Sequence, residues 1–173
     1  IPGGDARIQT NRILVVAEYA GPAAVEGETY PGADENASGV AVMLEVLRLW
    51  NEQEFTPKRT VVFMATSESG DVFFTQEPIL TASESDSWTV VILEGLAAGT
   101  PEFNVVQSDG NLARMFLDSA KTMKVEAERG GEYDFFFRVS DNEESFGMTT
   151  LGDYVGIVIR RPGDDLSGGP NDF

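Results

Sequence analysis

Carboxylates are the chemical groups this chain places where chemistry is done. Glu18 follows the apolar run 13–17, Ser67-Glu68-Ser69 closely follows the run 60–65, and Glu94 follows the run 88–93. Asp34 stands inside Pro31-Gly32-Ala33-Asp34-Glu35-Asn36-Ala37-Ser38-Gly39-Val40, and Asp141 inside Ser140-Asp141-Asn142. Such acids, if they converge, can hold a hard cation such as Ca²⁺ or Mg²⁺ through oxygen ligands. A pair with split pKa values can also work as acid and base, as in glycosidases and aspartic proteases. The plain alternative is that carboxylates in one cleft repel, raise one another's pKa or point into solvent, and chance pairs are common among 29 Asp+Glu.

What is missing narrows the chemistry further. The 173 residues contain no His and no Cys, which removes the Ser-His-Asp triad, imidazole and thiolate metal ligands, the cysteine nucleophile and the disulfide. Twelve Lys+Arg against 29 Asp+Glu give a formal charge of −17, so neither nucleic acid nor an anionic membrane is an expected partner. No apolar run approaches the roughly 18–20 residues of a membrane span, so direct insertion by this segment is not expected. The chain opens at Ile1 and stops at Asn171-Asp172-Phe173, which suggests a piece of a longer protein.

The elements that must position the acids are legible as alternating patterns. Residues 13–17, 60–65, 88–93 and 154–159 are short, continuous and rich in β-branched side chains, the mark of strands buried on both faces. Between the first two, Val40, Met43, Leu44, Leu47 and Trp50 recur at helical spacing over 38–52, and Leu112, Met115, Phe116, Ala120 and Met123 do so over 111–123. Alternating strands and helices predict an α/β sandwich around a largely parallel sheet, with no repeat or linker to divide 1–173 into more than one domain. In such folds the ligand crevice lies at the carboxyl ends of the strands, where the acids stand. Locally, Asn36 or Ser38 can cap the first helix, and Gly32 and Gly39 ease tight turns. Phe135-Phe136-Phe137 reads as a buried strand and Asp71-Val72-Phe73-Phe74 as core. The stretch from Asp141 to Ser145 has some look of a calcium loop, but Phe146 and Gly152 occupy the positions where such a loop needs Gly and Glu.

The order of strand, Glu18-Tyr19, Gly-Ala-Asp-Glu-Asn-Ala-Ser-Gly, amphipathic helix, strand 59–63 and Glu68 resembles metallopeptidase family twenty-eight over nearly the whole chain. This is the family of dizinc aminopeptidases, glutaminyl cyclases and the transferrin-receptor ectodomain. The resemblance implies a three-layer α/β/α sandwich with a mixed, mostly parallel sheet, of the zinc-exopeptidase, phosphorylase/hydrolase-like kind. It places the first zinc His on Glu18, the Asp two residues later on Ala20, and the zinc-bridging Asp on Asp34. It also implies a cis peptide between Asp34 and Glu35. The general base falls on Glu68, the next zinc ligand on Ser69 and the later acidic ligand on Glu94. The family's Ser-Asp-His segment falls on Ser140-Asp141-Asn142, and the last zinc His on Gly168 within Ser167-Gly168-Gly169-Pro170. Both imidazoles are thereby replaced, and one carboxylate by a hydroxyl. The family core also continues with helices beyond both ends, so the chain is expected to lack edges that its parent supplies.

Three functions stand open at this level. The first is a pseudo-peptidase: no zinc, no cofactor, no catalytic residue, and a role as a binding or structural module toward a protein partner or the remainder of a parent chain that is exported or membrane-attached. The second is a recast oxygen-only Ca²⁺ or Mg²⁺ site. The third is a residual hydrolase of the metallo-aminopeptidase type or one working through carboxylates alone.

Overall fold

Continuous apolar runs become the parallel centre of a six-stranded sheet. The computed structural model describes residues 1–19, 37–66, 88–93, 95–97, 103–108, 110–129 and 155–160. Its strands are β1 (Arg12–Glu18), β2 (Val61–Thr66), β3 (Trp88–Leu93), β4 (Phe103–Ser108), β5 (Ala127–Arg129) and β6 (Val155–Arg160). Its helices are α1 (Ser38–Glu52) and α2 (Gly110–Met123). The strands stand in the order β2-β1-β3-β6-β4-β5. β1 pairs in parallel with both β2 and β3, and β3 with β6. β4 runs antiparallel to β6, with a register shift between Val105 and Gln107, and β5 lies parallel to β4. The four expected strands and both expected helices are therefore present, with bounds shifted by a residue at most, while β4 and β5 are additions.

Both faces of this mixed, mostly parallel sheet are buried, as an α/β/α sandwich requires. On one face the pairs Val15 with Val91, Ala17 with Leu93 and Val91 with Ile157 form a continuous apolar floor. α1 lies on it through Met43, which clusters with Ala17, Leu93 and Leu96, and Val15, Val40, Phe63 and Val91 pack against that cluster. α2 lies on the same face, with Ala113 against Ile157 and Leu112 and Phe116 beside them. Leu14 and its register partner Val90 point the other way and are fully buried. Removing each such aliphatic side chain from water is worth about 1.5–3 kcal/mol, so this second face is as much core as the first.

The helix faces differ from the periodic reading. Leu44 is 61% exposed, and Met115 and Met123 are exposed as well, whereas the small residues Gly39, Ala113 and Ala120 are buried. Small side chains let a helix settle close to the sheet, and the residues flanking that point of closest approach turn outward. Periodicity weighted by hydrophobicity favours the large residues and misses this rotation.

Both helices stop in the same way. The Phe55 N–H donates to the Trp50 carbonyl at 2.9 Å across Glu54, which has φ 50°. The Val125 N–H donates to Ala120 at 2.9 Å across Lys124, which has φ 58°. This is the Schellman arrangement, closed at α1 by the Trp50 and Phe55 rings with centroids 4.9 Å apart. Trp50 also meets Phe63 of β2 edge-on at 5.6 Å. α1 thus crosses from the β1–β3 ends at its start to β2 at its finish.

The outer side of β2 is covered at its start, at Val61. Ile1 and Val61 exchange two backbone hydrogen bonds of 2.8 and 3.0 Å. Gly3 N–H donates to Thr60 Oγ1, and the Gly4 and Asp5 N–H groups donate to Pro57 and Lys58 carbonyls. The expected strand over 135–137, the Asp71-Phe74 core, the Asp34–Glu35 peptide and the Asp141 loop lie outside the described residues.

Candidate functional site at the carboxyl edge of the sheet

β1 leads through α1 to β2 on one side, and the chain then reaches β3 on the other. β1 is therefore the switch point of the sheet, the place where open α/β sheets leave a crevice beyond the strand ends. Glu18 is the last residue of β1 and is half-buried there. Its register partner is Thr66, the last residue of β2, and the next pairing brings the Tyr19 N–H to the Thr66 carbonyl at 2.8 Å. On the other side Ala17 is paired with Leu93, the last residue of β3. Neighbouring strands stand about 4.8 Å apart, so three strand ends converge with Glu18 in the middle.

The start of α1 is set into these strand ends. A Cβ on Gly39 would lie 2.5 Å from the Leu93 carbonyl oxygen and 3.0 Å from the Ala17 Cβ, so only glycine permits the approach. Beyond β3, Gly95 takes φ 53°, a left-handed turn that glycine enters without strain. The turn brings the Leu96 N–H to the Ser38 Oγ at 2.9 Å in a buried hydrogen bond. The expectation that Ser38 caps its helix is corrected here: the N-cap is Ala37, which has no side-chain cap, and Ser38 spends its hydroxyl on the turn after β3. The roles of Ser38, Gly95 and Leu96 went unread in the sequence. The available signal was a Ser-Gly pair opening one helix and a Gly-Leu pair just past a strand-end acid.

Of the candidate acids, Glu18 is the one the structure describes. Asp34, Glu68, Ser69, Glu94, Asp141 and Gly168 lie outside the described residues, but the chain leads to three of them from anchored points. Glu94 directly follows Leu93, Glu68 stands two residues past Thr66, and Asp34 stands three residues before Ala37. Among the described residues no three His, Cys, Asp or Glu converge on one point. Two described acids with shifted titration, Glu45 and Asp5, stand on other segments. Arg48, bonded to Glu45 and to Glu52 on the exposed side of α1, holds the Glu45 carboxyl below its usual range. Arg7 does the same to Asp5.

The family model described as Peptidase family M28 matches residues 4–144. The chain belongs to peptidase family M28. A solved structure, the crystal structure of Porphyromonas gingivalis glutaminyl cyclase, superposes with a TM-score of 0.58 at 16% identity, covering 95% of this chain and 64% of that one. At that identity the likeness speaks for the fold, and this M28 chain spans 64% of the neighbour's length. The family match ends before β6, yet β6 lies between β3 and β4 in the sheet. It is thus part of the fold, whatever the sequence match.

The residue types of this M28 chain limit the ligands it can offer a zinc pair. Zinc sites of that kind are built from nitrogen, sulfur and carboxylate in tight tetrahedral sets with an open position, and these 173 residues supply neither imidazole nor thiolate.

Proposed function

We propose that this chain is a catalytically silent M28 domain, a single unit over 1–173, that serves as a binding or structural module toward a protein partner or the rest of a longer chain. The observation that carries the reading is the absence of His from all 173 residues together with Glu18 at the end of β1. The family resemblance expects the first zinc imidazole at that position. Peptide hydrolysis by zinc needs a metal that lowers the pKa of its bound water to about 7, and carboxylates alone favour harder cations. Elemental analysis of the undialysed protein, followed by melts with EDTA, zinc, calcium and magnesium at fixed ionic strength and by an aminopeptidase assay, tests it. The expected result is no stoichiometric metal, no cation-specific shift and no hydrolysis. Stoichiometric zinc with peptidase turnover overturns it.

One observation favours a second reading. Glu18 is flanked by the strand ends that lead to Glu68 and Glu94, an arrangement suited to an oxygen-only cation site. A cation at 100 times its Kd would stabilise the fold by about 2.7 kcal/mol. A melt shift specific to calcium or magnesium that Glu18→Gln removes would establish this reading in place of the first.

A further inference from the structure

Ser38 is a buried polar side chain, at 9% exposure. A hydroxyl taken out of water is tolerated when it is hydrogen-bonded, and Ser38 Oγ accepts the Leu96 N–H from 58 residues away. Everything around that bond is shaped to keep it. Gly95 turns the chain so that the Leu96 amide faces α1. The Leu96 side chain is buried with Met43, Ala17 and Leu93. Gly39 lets the first turn of α1 press on the Leu93 carbonyl. The segments joined in this way are the ones that carry the candidate positions: Ser38 is four residues past Asp34, Leu96 two past Glu94, and Ala17 one before Glu18.

We infer that Ser38 is the positioning residue of the carboxyl edge: by accepting the Leu96 N–H it locks the turn after β3 to the first turn of α1, and it holds the walls of the crevice without a metal. The latch itself follows from the geometry, and its independence from metal rests on the reading of the domain as silent. A metal pair shared by loops would itself tie these segments together. Here protein contacts do so, which keeps the start of α1 and the turn after β3 in place.

Amide hydrogen exchange on the full chain, with and without EDTA, tests this. In the unsubstituted protein the Leu96 amide is expected to exchange as slowly as that of Val90 in β3, and EDTA is expected to change neither. In Ser38→Ala the Leu96 amide is expected to exchange about tenfold faster relative to Val90, the size set by the loss of one net hydrogen bond. Ser38→Thr, which keeps the hydroxyl, returns most of the protection. Leu14→Ala serves as the control, because it loosens the core and speeds both amides together. Fast exchange at Leu96 in the unsubstituted protein overturns the latch even if the alanine variant fails to fold, and so does equal acceleration of Leu96 and Val90 in Ser38→Ala. EDTA-sensitive protection at Leu96 overturns its independence from metal. Stoichiometric zinc with peptidase turnover, and Leu96 protection unchanged by EDTA, overturns the silent reading and supports the latch.

Discussion

Gly39 has no room for a side chain, because the Leu93 carbonyl and the Ala17 methyl close on it from the sheet. Gly39→Ala gains up to about 1 kcal/mol of helix propensity but overpacks against backbone, a fault that costs about 1–3 kcal/mol and occasionally more. A net loss of stability in urea unfolding is expected, with the change confined to the α1–β3 contact. The exposed Arg48 works differently. Its hydrogen bonds to Glu45 depress that carboxyl below 4.5. The contribution is therefore complete above pH 4.5 and is lost as the pH falls through the depressed value. Arg48→Gln is expected to lower the melting temperature slightly at pH 7, as surface pairs do, and the gap from the unsubstituted protein should close in acid. At this scale the sequence showed Glu18 where a crevice should be, because a strand-end acid after an apolar run is a local pattern. It concealed Ser38, whose partner is 58 residues distant.

The helices make the sharpest contrast between neighbours. Met43 is buried and Leu44 is exposed, although both fall on the apolar stripe of the sequence. Met43→Ala is expected to cost about 2–5 kcal/mol, while Leu44→Ala should stay within about 0.5 kcal/mol, both read from denaturant midpoints. The central strands were legible because a strand covered on both faces must be apolar at every position. β4, reading Phe-Asn-Val-Val-Gln-Ser, and β5, only three residues long, lie on the antiparallel side toward the edge and lack that continuous signal. Helix existence was likewise plain from the period. The rotation of each helix was not, since glycine and alanine at the contact carry little hydrophobic weight.

Across the whole molecule the charge is unevenly shared. The described residues hold ten Lys+Arg and eight Asp+Glu, while the remainder of the chain holds two and 21. The described sheet and helices are thus close to neutral, and the excess acid belongs to the rest of the sequence. Like charges at such density oppose compaction, and at 0.1 M salt the screening length is about 10 Å. The melting temperature is expected to climb with ionic strength, and by the same amount in sodium and potassium chloride. A shift that depends on which monovalent cation is used would contradict a screening origin.

Residues 1–5 cover the start of β2 and the turn before it by hydrogen bonds that Val61, Thr60, Lys58 and Pro57 receive or give. In colloidal terms this segment is a stopper. A version of the chain beginning at residue 6 would free the Val61 N–H and carbonyl at the start of that rim, and unpaired rims recruit further strands. Light scattering that grows with protein concentration in the shortened chain, and stays flat in the full one, is the expected signature. The few residues that cover the first rung of β2 are thus expected to hinder one molecule from continuing into the next.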